Sequence, residues 1–158
     1  MGKSGEKGGI VFIGTSALSL DAKGRLAIPV KYREALAGAD GEGLVVTVAP
    51  EEPCLWLYPK EEWEPIAEKV ARLPTFDRQN RNLQRLLFGR AEELKLDSQG
   101  RILLSKPLRE YAGLQKRVAL VGQVHRFEIW DADRWNNGEW LEELSDESLS
   151  ESLASLSL

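Results

Sequence analysis

Asp21 and Arg25 stand on either side of Ala22-Lys23-Gly24, and the arrangement returns as Asp97 and Arg101 around Ser98-Gln99-Gly100. A carboxylate at the mouth of a tight turn accepts the turn amides and pairs with a guanidinium across the strands. A guanidinium beside a glycine lets side chain and backbone come close to a polyanion. Its fork also matches the O6 and N7 acceptors of guanine in a major groove, a pairing worth ~1–3 kcal/mol of discrimination. Exposed basic turns are equally common on surfaces that bind nothing. One copy therefore leaves a structural turn and an anion contact both open.

The repeat is longer than the turn. Leu20-Asp21-Ala22-Lys23-Gly24-Arg25-Leu26-Ala27-Ile28 matches Leu96-Asp97-Ser98-Gln99-Gly100-Arg101-Ile102-Leu103-Leu104 at a constant displacement of 76 residues. A duplicated unit implies a pseudo-twofold fold, with its polar positions gathered at two hairpin tips.

Those tips need strands on both sides. Leu18–Ile28 reads as strand, turn, strand, with Gly24 supplying the left-handed residue of a three-residue loop. Beyond the turn, Leu26 and Ile28 share one face while Arg25 and Ala27 share the other. Pro29 closes the strand, and Val30–Ala37 forms a short helix stopped by Gly38. Ile10–Ile13, Leu44–Val48 and Leu55–Tyr58 are strand candidates. Lys60–Leu73 is helical, with Trp63, Ile66, Ala67 and Val70 on one face, and Pro74 ends it. A second helix follows, with Thr75 as N-cap, Phe76, Leu83, Leu86 and Leu87 on its apolar side, and Gly89 as its stop. The order then repeats: a hairpin over Leu94–Leu104, N-cap Ser105, a helix over Lys106–Ala112 ended by Gly113, and strands Val118–Val121 and Phe127–Trp130. Trp135 echoes Trp63 at a displacement of 72. Leu141, Leu144, Leu149, Leu153 and Leu156 give the tail the spacing of a marginal amphipathic helix.

At 158 residues, the chain fits one domain or two small halves sharing a core. With 42% hydrophobic and 29% charged residues it has an ordinary globular composition. No apolar run approaches the ~18 residues of a membrane span, and no charged-then-apolar leader is seen. A single cysteine, Cys54, excludes an internal disulfide and suits a reducing cytoplasm. The net charge of −4 is unevenly spread: residues 139–158 hold six acids and no Lys or Arg, leaving 21 basic against 19 acidic side chains in residues 1–138. Any anionic partner must therefore be drawn by local patches rather than by a global field. Residues 1–9 read as a disordered leader. Gly2-Lys3-Ser4 lacks the strand and upstream glycine of a phosphate loop, and Glu6 stands where a myristoylation signal needs Ser or Thr.

Other residue types point away from catalysis. His125 is the only histidine, which removes His-based triads and multi-His metal sites, and one Cys removes thiolate metal sites. His125 reads as a turn or partly buried polar residue, and Cys54 as a small hydrophobe rather than a nucleophile. Glu61, Glu62, Glu64, Glu92 and Glu93 belong to helix starts or solvated faces. Trp56, Trp63, Trp130 and Trp135 recur at matched places, which favours core or subunit packing over base stacking. Arg78, Arg81 and Arg85 line one side of the second long helix, open to a neighbouring chain's acids or to phosphates.

The paired Asp-x-x-x-Arg motifs, with Cys54-Leu55-Trp56-Leu57-Tyr58-Pro59, Gln84-Arg85-Leu86-Leu87-Phe88-Gly89 and Val121-Gly122-Gln123 followed by Phe127-Glu128-Ile129-Trp130, resemble the MraZ family within the SpoVT/AbrB-like swapped-hairpin superfamily. The match runs from about Val11 through the tail. The resemblance implies an α+β fold: a pseudo-twofold swapped-hairpin β-barrel of two tandem AbrB-like halves, residues 15–62 and 91–134, flanked by helices. Residues 63–90 form connecting helices and residues 139–158 an acidic tail. It implies a non-enzymatic, DNA-binding transcriptional regulator of the division and cell-wall gene cluster, including its own promoter. Its partners would be repeated boxes in double-stranded DNA and further copies of itself in a homo-oligomeric ring. It would sit in the cytoplasm at the nucleoid, with no cofactor, metal, membrane or small-molecule substrate. Lys23, Gly24, Arg25, Gly100 and Arg101 carry over as DNA-binding residues, with Gln99 in the place of Lys23, while Asp21 and Asp97 are structural. The second tip lacks one cation and should bind less strongly. An alternative of another class is an antitoxin-like interaction module, in which the leucine-bearing tail captures a protein.

Overall fold

Short strands with strictly placed apolar residues organise the chain. The computed structural model describes residues 11–38, 41 and 43–157; the leader over 1–9 lies outside them. The fold is mixed α+β. Eight strands are present among the described residues: β1 Thr15–Ser19, β2 Arg25–Ala27, β3 Leu44–Val48, β4 Leu55–Pro59, β5 Glu92–Leu94, β6 Arg101–Leu103, β7 Arg117–Gly122 and β8 Phe127–Asp131. Six α-helices accompany them: α1 Val30–Ala37, α2 Lys60–Ala71, α3 Arg78–Gly89, α4 Lys106–Tyr111, α5 Ala132–Asn137 and α6 Asp146–Ser155, with a 3-10 turn over Glu139–Glu143. Among the described residues no helix is long and apolar enough to cross a membrane.

Six strands form one antiparallel sheet in the order β1-β7-β8-β4-β3-β5, and β2 and β6 pair separately as a ribbon. The copies exchange partners. β1, ahead of the first tip, pairs with β7 of the second copy, and β5, ahead of the second tip, pairs with β3 of the first. In the ribbon, Leu26 faces Ile102 while Arg25 faces Leu103 and Ala27 faces Arg101. This register is symmetric under the 76-residue displacement, so the pseudo-twofold axis passes through the Leu26–Ile102 pair.

The expected barrel is not closed by hydrogen bonds. β1 and β5 remain the edges of the large sheet, and a single bridge, Leu20 to Leu26, links β1 to the ribbon. The reason is local: each post-turn strand has only three paired residues before Pro29 or Ser105 turns the chain into a helix.

The core explains the strand pattern. Leu26, Ile28, Ile102 and Leu104 are fully enclosed with Leu36, Leu108, Leu120 and Phe127. β3 is buried at all five positions because both of its faces are covered. Leu44, Val46 and Val48 enter the central cluster, and Val45 joins Tyr58, Trp63 and Leu87 beneath α2 and α3. The Thr47 hydroxyl donates to the Leu87 carbonyl at 2.8 Å, tying β3 to the end of α3. Trp63 and Trp130 are buried, and Trp56 and Trp135 pack against apolar clusters.

Both ends of α3 differ from the sequence expectation. α3 is capped by Asp77, whose carboxylate accepts from the Gln79 amide at 2.8 Å, and not by Thr75. Phe76 therefore precedes the helix and is 97% exposed instead of joining its apolar side. Arg81 accounts for the shift: its guanidinium donates to the Thr75 and Phe76 carbonyls at 2.6 and 3.0 Å and holds that segment as a loop. α3 also runs through Gly89 and ends at Arg90.

Leu26→Ala should lower unfolding free energy by about 2–5 kcal/mol in urea titrations, since it empties an enclosed site on the axis. A loss below about 1 kcal/mol would show that the ribbon does not carry the core.

Candidate nucleic-acid interface

Each tip is built by one carboxylate. The Asp21 Oδ1 accepts the amides of Lys23 and Arg25 at 2.9 and 2.8 Å, and its Oδ2 accepts Arg25 Nε at 2.7 Å. The backbone closes the turn, with the Asp21 amide donating to the Arg25 carbonyl and the Gly24 amide to the Asp21 carbonyl, both at 3.0 Å. Asp97 repeats the pattern: Oδ1 accepts Gln99 and Arg101 amides at 2.9 and 2.8 Å, and Oδ2 accepts Arg101 Nε at 2.9 Å. Gly24 and Gly100 take φ values of 87° and 75°, the left-handed geometry the turn needs.

These hydrogen bonds favour ionised carboxylates. The Arg25 amide is the chief cause that holds Asp21 down to about 2, helped by the Arg25 guanidinium and the Lys23 amide against opposing desolvation. The Asp97 carboxyl is lowered the same way, first by the Arg101 amide. Both aspartates thus act as turn-builders. Only Nε of each tip arginine is committed to its aspartate, and the side chains keep 31% and 26% of their surface for Arg25 and Arg101. Lys23 and Gln99 are exposed, while Gly24 and Gly100 are buried in the floor of each turn.

The two tips are held in one unit. The Leu104 amide donates to the Gly24 carbonyl and the Ile28 amide to the Gly100 carbonyl, both at 2.9 Å. Four residues of extended chain separate Gly24 from Ile28, so the turns start roughly 13 Å apart along the ribbon. All six candidate contact residues are therefore brought to one end of the ribbon or the other.

Arg33 and Arg109 complete the construction, and the motif-based reading missed them. Arg33 Nε donates to the Ile28 carbonyl at 2.7 Å and Arg109 Nε to the Leu104 carbonyl at 3.0 Å. Each lies beneath the other copy's turn: a Cβ on Gly24 would meet Arg109 Nε at 2.8 Å, and one on Gly100 would run into the Arg33 guanidinium. Their separation of 76 residues, the same as that of the motif, was the available signal.

The remaining candidates are placed elsewhere. His125 is exposed on the β7–β8 turn, its Nδ1 3.5 Å from Glu62. Arg85 binds Asn82 at 2.8 Å along α3. Glu92 accepts the Ser105 hydroxyl at 2.6 Å, so Ser105 precedes α4 without capping it through its side chain. Glu52, Cys54 and Glu128 bring an oxygen, a sulfur and an oxygen within 4.8 Å of one another, a grouping the sequence spacing hides. Glu128 is already engaged by the indole N–H groups of Trp56 and Trp130 at 3.2 and 2.9 Å. Burial pushes the Cys54 thiol far up, so it stays protonated at neutral pH.

Comparison with known proteins agrees with this twofold construction. A family model described as "MraZ protein, putative antitoxin-like" matches residues 11–86 and again 87–158. A "Transcriptional regulator MraZ" from Alkalilimnicola ehrlichii is 49% identical over 151 residues, covering 94% of this chain and the whole of that protein. Proteins of the same name from Pseudomonas savastanoi pv. phaseolicola and Nitrosomonas europaea are 52% and 51% identical over 126 residues, each covering 80% of this chain and 83% and 84% of their own lengths. Two matched units, each with its own carboxylate-built turn, and near-50% identity across most of the chain place it in the MraZ family.

Proposed function

We propose that the chain is a sequence-specific, DNA-binding transcriptional regulator that meets double-stranded promoter repeats with its two hairpin tips. The frame is two AbrB-like halves, residues 15–62 and 91–134, interlaced in swapped-hairpin fashion and joined by residues 63–90. The observation that carries this reading is the twinned turn: two glycine-floored tips, each presenting an arginine whose Nη atoms take no acceptor among the described residues. A spacing of roughly 13 Å is comparable with the ~12 Å width of a B-DNA major groove, which admits a β-ribbon. In this reading Lys23, Arg25 and Arg101 supply charge and base-edge donors. Gly24 and Gly100 let each turn close over the other copy's arginine, and Gln99 offers a neutral amide, which makes the first tip the stronger. The names of the related proteins support a role in transcription, and the family resemblance extends it to the division and cell-wall gene cluster, including this gene's own promoter, at the nucleoid in the cytoplasm. No residue is assigned a catalytic role.

A near-neutral body with small cationic tips calls for number rather than field strength. A homo-oligomeric ring supplies it: linked copies on linked boxes gain ~10²–10⁴ in avidity without new contacts. A second reading, of a module that captures a protein, is favoured by the tail, where Leu141, Leu144, Leu149, Leu153 and Leu156 are all exposed.

Fluorescence anisotropy on the duplex upstream of the gene separates the two. Arg25→Ala should abolish preference for that duplex over random DNA while the oligomer persists, and deletion of residues 139–158 should leave binding intact. Retained preference in Arg25→Ala would overturn the tip assignment, and loss of binding only on tail deletion would favour the second reading. A tandem array should bind at least 10²-fold more tightly than a single box, and equal affinities would remove the need for a ring.

The tips also set a pH expectation. The Asp21 carboxyl is lowered in the fold, so its contribution is complete above the unfolded value near 3.8 and is lost as pH falls through about 2. NMR titration of the Lys23 and Arg25 amides should therefore show a midpoint close to 2. A midpoint near 3.8 would mean that the turn does not depend on the ionised carboxylate.

A further inference from the structure

Beside the first tip, the second copy contributes two cations that the repeated motif does not contain. The Leu20 amide, just before Asp21, donates to the Lys116 carbonyl at 2.7 Å, and the next pair in the ladder sets Ser19 against Arg117. The segment ahead of β7 is thereby pinned to the base of the first hairpin. Lys116 and Arg117 are both exposed, and neither is in an ion pair among the described residues. A groove of about 570 Å³ is lined by Asp21 and Gly24 of the turn together with Arg109, Gln115 and Lys116. A second groove, of about 470 Å³, shares Gln115 and Lys116 and continues to Arg117. Asp131 and Asp133 line it as well, and the Asp131 carboxylate accepts the Gln115 amide at 3.1 Å.

Among the described residues, the second tip has no counterpart to Arg117. The register that pairs Leu18 with Val118 pairs Leu94 with Leu44, so the described position matching Arg117 is Gly43. Lys95 stands in the place of Ser19, and Lys60, whose amide donates to the Gly43 carbonyl at 3.1 Å, is held 3.8 Å from Glu93. The pseudo-twofold backbone therefore carries an unequal charge.

We propose that Lys116 and Arg117 form a phosphate-binding track that continues the first tip, so that one strand of the duplex backbone passes the exposed side of that turn and runs along its β1–β7 edge. The second tip engages DNA without this track. Phosphate contacts position a protein without reading sequence, so the track sets register and affinity while the tips read bases. This inference rests on the DNA-binding reading above and extends it to residues outside the motif.

The test compares the full-length wild type, the double variant Lys116→Gln/Arg117→Gln, and the charge-keeping variant Lys116→Arg/Arg117→Lys. Each is titrated with salt on the upstream duplex and on a random duplex of equal length. Removing two phosphate contacts should reduce the slope of log affinity against log salt by about 1.8, or roughly 60-fold in affinity over a tenfold range of salt. The loss should be equal on both duplexes, and the charge-keeping variant should retain the wild-type slope. Wild-type binding with an unchanged slope in the Gln variant would overturn the track and leave the tip reading standing. A slope lost in the charge-keeping variant as well would assign the effect to the fold of the segment and overturn the track. Absence of salt-dependent duplex binding by the wild type would overturn the DNA-binding reading and the track with it.

Discussion

Leu26 and Ile102 face each other on a three-residue ribbon with almost no solvent contact, and the geometry of both tips depends on that pair. Apolar burial at this point has a directional consequence that the hydrophobic effect alone does not have. Because the ribbon alternates faces, enclosing Leu26 and Ile28 on one copy and Ile102 and Leu104 on the other puts Arg25 and Arg101 on the opposite face. A slip of one residue would bury the arginines and expose the core. The enclosed face is thus what keeps both guanidinium groups accessible.

Polar bonding then makes the two turns rigid and dependent on each other. Within each turn one carboxylate satisfies two amides and a guanidinium, so the loop is stabilised locally wherever the strands begin. Across turns, Arg33 and Arg109 hold carbonyls at the ribbon ends and fill the space beneath the other copy's glycine. Each turn therefore rests on an arginine of the other copy. The symmetry is one of backbone and bracing, and the charge around the tips departs from it through Lys23 against Gln99 and through Arg117 against Gly43.

The tips were legible because their chemistry is short-range. An Asp, a Gly and an Arg within five residues determine which amides are capped and which residue takes positive φ, and no distant contact is needed to read that. α1 was legible for a related reason, since Pro29 and Gly38 bracket it at both ends. The start of α3 was misread because two N-cap candidates, Thr75 and Asp77, lie two residues apart, and a side chain one turn further on, Arg81, decides between them. The closed barrel was overextended: motif spacing predicts paired hairpins but says little about how many residues each ladder keeps before the chain turns into a helix.

What the amino-acid order determined by itself is the repeated turn, its carboxylate-guanidinium pair, the apolar and polar faces of the strands, and the uneven spread of charge along the chain. All follow from neighbours within about one turn or one hairpin. Only the tertiary structure decided which strand each hairpin pairs with, that Arg33 and Arg109 cross beneath opposite tips, and that Lys116 and Arg117 flank the first tip. Those outcomes depend on the exchange of strands between copies, a long-range pairing selected by burying both apolar faces at once, and no local spacing encodes it.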